Sequence, residues 1–320
     1  MPVTLAAPPS TPIPSSPTGL LARIAAEVDV LPGAVTVAGE PVPVHGRRGG
    51  PQGAHAALTD ALLDRYHLGG AGRPAWSDPA LLRRAGDLLG SRCCWESGWR
   101  VVGSWARGWL VERDGLVLPV EDDEVRFATD GVRVRFPADR PQSSGGWLVV
   151  AGTAGPAPRA GRLAECSLHL LPGSAPEVFA ALVTRLDALH LAFTARLLAD
   201  PSVTGRPDSA VVTAARADLP PLVLVSLGLH GGARGAFGDA VPGFTRAVAP
   251  GVAVGDSPAA GPGFGRHRCG LVASGLLTAG PAAGTAERLA AVRAAFTAAG
   301  LDPAAPHLGP GGADLALSCW

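Results

Sequence analysis

The hydrophobic spacing of the chain changes along its length. Between Gly98 and Arg135 apolar and polar residues alternate, and the turn Arg113-Asp114-Gly115 separates two such runs, which is typical of short antiparallel strands joined by hairpins. In residues 55–67 and 175–189 the apolar residues instead repeat every three or four positions, which is typical of amphipathic helices. Strands and helices in separate segments predict an α+β fold that contains a small antiparallel meander.

The composition predicts three segments. Residues 1–16 are rich in Pro, Ser and Thr and are predicted to form a flexible tail. Residues 17–160 are predicted to hold N-terminal helices and then the meander, with a helix over Leu20–Val30 and an irregular stretch over Pro32–Gly53. A Gly- and Pro-rich stretch precedes residues 161–320, which we expect to form a C-terminal sheet-and-helix unit.

The same patterns predict individual elements. Trp147–Ala151 is predicted as a further strand of the meander. The C-terminal unit is predicted to contain three or four strands with helices on at least one face. Its predicted strands are Cys166–Leu171, Ala192–Leu198 and Ala210–Ala214, and its predicted helices are Ala175–Leu189, Leu219–Leu229, Gly265–Thr278 and Gly284–Ala299.

The sequence contains no lysine, so every basic side chain other than His is Arg. Arg is almost always protonated, and it can therefore hold an anion but is a poor proton acceptor. This excludes Schiff-base chemistry, Lys general bases and phosphate loops of the Walker type. The formal net charge is zero, which argues against a general binder of nucleic acid or of membrane surfaces, because both need a basic excess.

The five cysteines are odd in number and form no Cys-x-x-Cys pair, which is typical of reduced cytosolic thiols. The start of the sequence lacks the basic and apolar segments of a signal peptide, and no apolar stretch is long enough to cross a membrane. We therefore expect a cytoplasmic protein.

Metal ligands are sparse in the sequence. Cys166-x-x-His169 and His267-x-Cys269 could form a zinc site if they met in space, since thiolate and imidazole suit zinc. The sequence contains no convincing nucleotide loop or further ligand spacing. We expect an activity that uses neither a metal nor a cofactor.

Several segments together resemble the HopA-type effector family in their order and spacing, over roughly residues 56–280. The segments are Asp60–His67, Gly98–Gly103, Arg113–Leu116, Phe193–Asp208, Phe244–Gly251 and Phe264–Cys269. The last of them, Phe-Gly-Arg-His-Arg-Cys, resembles the clearest motif of the family and opens a predicted helix.

The resemblance implies an activity and partners. The family includes effectors of plant pathogens. It also includes proteins encoded beside aminoglycoside-phosphotransferase-like kinases in pathways to class V lanthipeptides and thioamitides. There the kinase is thought to phosphorylate Ser or Thr of a ribosomal precursor peptide, and the HopA-like protein is thought to eliminate the phosphate. The resemblance thus implies a phosphoserine/phosphothreonine lyase whose partners are the phosphorylated peptide and such a kinase.

Elimination of phosphate needs a base near Cα, an acid or cation at the bridging oxygen and donors around the phosphate. Arg206, Arg246 and Arg268 are the candidate phosphate ligands, because the planar guanidinium binds phosphate bidentately. The alternative for Arg206 is an ion pair with nearby Asp208. His267 is the candidate acid because it lies in the matching motif and can titrate near neutrality.

Three positions depart from what the resemblance implies. Arg196 stands where a strand Lys is expected after Phe193, and Cys166-Ser167-Leu168 stands where an Arg-x-Tyr pattern is expected. Ser144-Gly145-Gly146-Trp147 stands where a Ser-Pro-Gly-Phe-Tyr turn is expected. Alternation along the strand places Arg196 on the face opposite Phe193. Because Arg does not accept a proton at neutral pH, either His169 or another neutral group is the base, or the chain is a non-catalytic binder of the phosphopeptide or the kinase. A third alternative is an effector-like interaction protein.

Overall fold

In a computed structural model of the chain, the described residues are 17–31, 34–43, 51–72, 74–129, 131–203, 205–258, 261 and 263–315. The predicted flexible tail, residues 1–16, lies outside them. The described part combines helices with antiparallel sheets, and it confirms the predicted α+β class.

The chain folds into two compact units. The first unit comprises Met1–Arg73, Ala240–Val248 and Ala253–Trp320, and the second comprises Pro74–Asp239 and Ala249–Val252. The boundary that the sequence predicts between residues 160 and 161 falls inside the second unit.

The described residues form seven α-helices. They are α1 (Pro17–Glu27), α2 (Pro51–Leu62), α3 (Pro79–Leu89), α4 (Ala175–Ala188), α5 (Leu219–Gly232), α6 (Phe264–Ala279) and α7 (Thr285–Ala298). The helices predicted in the C-terminal half are thereby confirmed. A π-helical turn, Leu63–His67, continues α2.

The described strands number fifteen. They are β1 (Val28–Leu31), β2 (Ala34–Val37), β3 (Glu40–Pro41), β4 (Cys93–Trp105), β5 (Gly108–Arg113), β6 (Leu116–Glu121), β7 (Val125–Ala128), β8 (Gly131–Pro137), β9 (Asp139–Ser144), β10 (Trp147–Ala151), β11 (Leu163–Leu168), β12 (Phe193–Leu198), β13 (Ala210–Ala215), β14 (Arg246–Ala249) and β15 (Val252–Ser257).

The N-terminal segment of the first unit corrects two predictions. The helix expected to reach Val30 ends at Glu27, and the stretch expected to be irregular contains β2 and β3. The reason is that the hydrophobic spacing changes to every second residue after Glu27. Val28 and Val30 alternate with exposed residues and pair with β2, and their β-branched side chains favour a strand. Buried residues of α1, α2, α6 and α7, such as Ile24 and Phe296, form the core of this unit.

The meander in the second unit is confirmed. Its five strands pair antiparallel in the order β6-β5-β4-β8-β7. One side of this sheet buries Trp99, Val111 and Val134 in a small core, while the other side is exposed.

A second sheet of the same unit, here called the central sheet, carries the candidate site. Within the second unit its strands are neighbours in the order β11-β13-β12-β10-β9. Strand β10 was predicted to belong to the meander. It pairs instead with β12, in a register that sets Trp147 opposite Leu198. Helices α4 and α5 pack against this sheet. Among the described residues no helix is both long and apolar enough to cross a membrane.

Candidate functional site

The two faces of the central sheet differ in chemistry. Cross-strand partners share a face, and the register sets Ser167 opposite Val211 and Val211 opposite Arg196. We call this side the polar face. Its residues on the three strands β11, β13 and β12 are Leu163, Glu165, Ser167, Val211, Thr213, Ala215, Thr194, Arg196 and Leu198. The opposite face presents only apolar residues, and these include Phe193, Ala195 and Val212, all buried.

Arg196 lies on the polar face, as alternation predicts. Phe193 and Ala195 are buried, whereas Thr194 and Arg196 are half-buried. The Arg196 guanidinium carbon lies 5.0 Å from the centre of the Trp147 ring, within the range of a cation–π contact. Within the described part of the chain, no carboxylate forms an ion pair with Arg196, and its buried Nε has no acceptor. A half-buried cation without a counter-ion favours the approach of an anion.

Arg206 approaches the same Trp147 ring, but an ion pair with Asp208 already neutralises its charge. Its Nε and Nη2 donate to the two carboxylate oxygens of Asp208 at 2.9 and 2.8 Å, and only 4% of Arg206 is exposed. Its guanidinium carbon lies 5.3 Å from the Trp147 ring centre. The structure therefore brings Arg196 and Arg206 to one aromatic ring, and the ion pair considered for Arg206 is present.

His169 directly follows β11, which ends at Leu168 rather than at Leu171 as predicted. The His169 N–H donates to Gly251 O at 2.8 Å, and the His169 carbonyl accepts from Gly238 N at 2.9 Å. These two bonds to distant segments replace the sheet pairing, which is why the strand stops.

The residues around His169 hold it tightly. The Ser209 hydroxyl accepts from Leu170 N at 2.6 Å and lies 3.2 Å from the Leu168 carbonyl, so it bridges the backbone on both sides of His169. The imidazole lies flat on Gly238, where an added Cβ would stand 2.4–2.7 Å from three ring atoms. His169 is 7% exposed. No sequence pattern indicated Ser209 or Gly238, because both contact His169 only through the fold.

Arg196 and His169 lie at different levels of the central sheet. Strand β13 lies between β12 and β11, and two interstrand spacings amount to about 10 Å. The register sets Ser167 level with Arg196 through Val211, so His169 lies two residues farther along the chain from that level.

Arg268 lies in the first unit and holds backbone. Its Nε donates to Pro306 O at 2.6 Å, and its Nη2 donates to Asp256 O and Leu308 O at 3.0 and 3.1 Å. Only 1% of Arg268 is exposed. The guanidinium therefore orders the segment that follows α7. Arg206, another candidate phosphate ligand, belongs to the other unit, and the role of Arg268 as a phosphate ligand stays a prediction.

His267 accepts a hydrogen bond from Arg268. Arg268 Nη1 lies 2.5 Å from His267 Nδ1, which leaves the imidazole proton on Nε2. Burial, and then the charge of Arg268, lowers the pKa of His267. Both effects favour the neutral ring, so this environment opposes the protonated form that a general acid at this position needs.

Arg246 takes part in a cluster that the sequence analysis did not select. Its Nη1 contacts the Asp314 carboxylate and donates to Leu315 O at 3.0 Å. His307 Nε2 lies 3.2 Å from the same carboxylate. Burial alone would raise the pKa of Asp314, but the bonds from Arg246 and His307 outweigh it and lower that pKa. Arg246 is more than sixty residues from His307 and Asp314, so no spacing signal could have joined it to them.

Cys166, a candidate ligand of the possible zinc site, lies in a different environment. The Cys166 thiol lies on the apolar face, 3.6 Å from the Ser226 hydroxyl, and burial raises its pKa to about 11. In the described ranges no group of three or more His, Cys, Asp or Glu side chains is arranged to hold a metal ion.

Comparison with known proteins decides the family. A family model described as the HopA1 effector protein family matches residues 138–308, which is more than half of the 320 residues. The chain belongs to this family. No curated protein matches the chain.

Two solved structures of effector proteins are similar to this chain. The effector protein from Pseudomonas syringae pv. tomato strain DC3000 is 15% identical, with a TM-score of 0.50, over 83% of this chain and 93% of that one. The effector protein from Pseudomonas syringae pv. syringae strain 61 is 14% identical, with a TM-score of 0.47, over 80% and 96%. At these identities the likeness to the first structure shows the fold alone.

The HopA1 match contains all six residues predicted from the sequence for the site. It begins at Ala138 and ends at Leu308, so it includes the central sheet but not strands β4 to β8 of the meander. The polar face of the central sheet is therefore a feature of the HopA1 region of the chain.

Proposed function

We propose that this HopA1-family chain eliminates phosphate from phosphoserine or phosphothreonine of a ribosomal precursor peptide and leaves a dehydroamino acid. The observation that supports the proposal is that Arg196, on the polar face, has no carboxylate partner among the described residues, while His169, directly after β11 of the same sheet, has a fixed backbone. The first supplies a phosphate ligand and the second a group that can accept a proton.

The proposed reaction assigns one step to each residue. Arg196 donates hydrogen bonds to the phosphate oxygens and stabilises the charge that grows on the leaving group. His169 removes the Cα proton, since imidazole accepts protons near neutral pH. The electron pair of the broken C–H bond forms the Cα=Cβ double bond, and the Cβ–O bond breaks. The products are the dehydroamino acid and inorganic phosphate.

Trp147 and the Arg206–Asp208 ion pair support Arg196, the proposed phosphate ligand. The ring of Trp147 contacts both guanidinium groups, and the bidentate ion pair fixes Arg206 beneath it. Arg206 thereby adds packing without a competing free charge. The phosphate ligand proposed for this face is thus Arg196 rather than Arg206.

A second candidate function is binding without chemistry. The burial of His169, 7% exposed, favours it, because a peptide must reach the ring before a proton can move. In that case the chain would hold the phosphopeptide or an aminoglycoside-phosphotransferase-like kinase. Such a kinase is the proposed source of the substrate under both functions.

Mass spectrometry of a phosphorylated precursor peptide incubated with the protein tests the proposal. We expect loss of phosphoric acid from the peptide, abolished in His169→Gln and retained in the exposed-surface control Arg159→Ala. Binding without loss of phosphoric acid would support the second candidate. Arg196→Lys then distinguishes a missing base from a missing substrate. It introduces the Lys that the family resemblance implies at this position, and a Lys side chain can lose a proton in a buried site.

A further inference from the structure

A cavity on the exposed side of the meander is lined by cations. It has a volume of about 320 Å³ and is bounded by Trp95, Arg126, Arg133, Thr153, Ala154 and His190, all in the second unit. These residues come from β4, β7, β8 and the loops after β10 and α4. None of them belongs to the polar face of the central sheet.

The two arginines of this cavity repel each other. Arg126 and Arg133 are directly opposite in the antiparallel pair β7–β8, where side chains of like charge are destabilising. The Arg126 guanidinium carbon stacks 3.8 Å from the Trp95 ring centre. Within the described part of the chain, neither arginine forms an ion pair. The neighbouring Arg135 differs, because Asp123 neutralises it at 3.0 Å.

Strand β7 lies at the edge of the meander. Within the described residues β8 is its one sheet neighbour, so one side of its backbone is open to a further strand. Arg126 points to the cavity side of the sheet, and the next residue, Phe127, points to the other side and is 64% exposed. An added strand would meet cations on one side and an aromatic ring on the other.

We propose that β7 and this cavity form a docking site for an extended acidic peptide. Its backbone pairs with the open edge of β7. Its acidic side chains enter the cavity between Arg126 and Arg133. There the two guanidinium groups bind the carboxylates, which relieves the repulsion between the arginines. Its apolar side chains alternate with them and contact Phe127. This site is distinct from the proposed elimination site and needs no phosphate.

Fluorescence anisotropy with a labelled peptide of alternating Glu and Val tests the site in the full-length protein. We expect saturable binding that weakens as salt is added, with no binding of the matching Lys and Val peptide. The double variant R126A/R133A should bind about tenfold more weakly or worse, because charged hydrogen bonds are lost. The control R100A/R159A removes the same charge from exposed positions and should bind as the wild type does.

The melting temperature of the single variant Arg133→Ala distinguishes a loss of binding from misfolding. Arg133→Ala removes the repulsion but leaves the Arg126–Trp95 stack, so its melting temperature should equal or exceed that of the wild type. Equal binding by R126A/R133A and the control, or binding of the Lys and Val peptide, would overturn the proposal. Elimination activity is not measured here, so failure of this site and failure of the proposed function are separate results.

Discussion

Arg196 and Arg268 are both charged residues in the HopA1 region, but their surroundings differ. Every nitrogen of Arg268 has an acceptor, and three of these acceptors are backbone carbonyls. Arg196 contacts an aromatic ring and has a buried Nε without an acceptor. An arginine saturated by carbonyls orders the chain, whereas an arginine held against a ring keeps its donors for a ligand. Sequence motifs do not distinguish the two.

The largest expected effect is on stability, at Arg268. Arg268→Ala would leave the carbonyls of Asp256, Pro306 and Leu308 buried without this donor, and we expect a loss of about 3 kcal/mol or more in the free energy of unfolding. Urea denaturation measures it. Unchanged stability together with lost phosphopeptide binding would reverse the comparison of the two arginines, because Arg268 would then be the phosphate ligand.

The next effect is on binding, at Arg196. Arg196→Ala should weaken binding of a phosphopeptide by about 1.5–3 kcal/mol, the contribution of a charged hydrogen bond. Its free energy of unfolding should change by less than about 1 kcal/mol, since the lost contact is a partly exposed cation–π pair. Isothermal titration calorimetry with a phosphothreonine peptide, and with Arg159→Ala as the control, measures the difference. Equal affinities for the two variants would remove Arg196 from the site.

A smaller effect is expected at Gly238, which positions His169. In Gly238→Ala the new Cβ would stand within 2.7 Å of the ring, so the ring must move, and misplacement of this size lowers turnover by about tenfold to a hundredfold. Affinity for the phosphopeptide should stay near that of the wild type. Gly235→Ala is the matched control because its Cβ meets nothing within 4 Å. Turnover that survives in Gly238→Ala would argue against His169 as the base.

The smallest effect concerns pH. The pKa of His267 is lowered in the folded chain from an ordinary value of about 6.5, so the unfolded chain binds a proton first as the pH falls. The contribution of the neutral ring to stability is present above the unfolded pKa and is lost as the pH falls through the folded pKa. His267→Gln should therefore show a flatter fall in the free energy of unfolding below pH of about 6.5. Parallel curves would show that His267 titrates normally.

Much of this arrangement could be predicted from local patterns. Alternation in Phe193–Leu198 gives both the strand and the side on which Arg196 lies, because burial on one face imposes a period of two. The helices after residue 260 likewise follow from their periodicity. The pairing of Trp147 with β12 could not be predicted, since register depends on residues about fifty positions away.

The partners of the charged residues were the least predictable part. Arg268 is held by carbonyls 38 and 40 residues farther along the chain, and backbone acceptors have no signature in a sequence. The Asp314–His307 contact joins two residues in a segment that shows no hydrophobic period. A motif locates such residues but does not tell whether they bind a ligand or their own chain.

The contacts of His169 also set the order in which the site is completed during synthesis. Strands β11, β12 and β13 are all present once the chain reaches Ala215, and Arg196 can take its place on the sheet. The two glycines that fix His169, Gly238 and Gly251, emerge from the ribosome later. Under the proposed function, the residue that binds the phosphate is therefore synthesised before the two glycines that position the base.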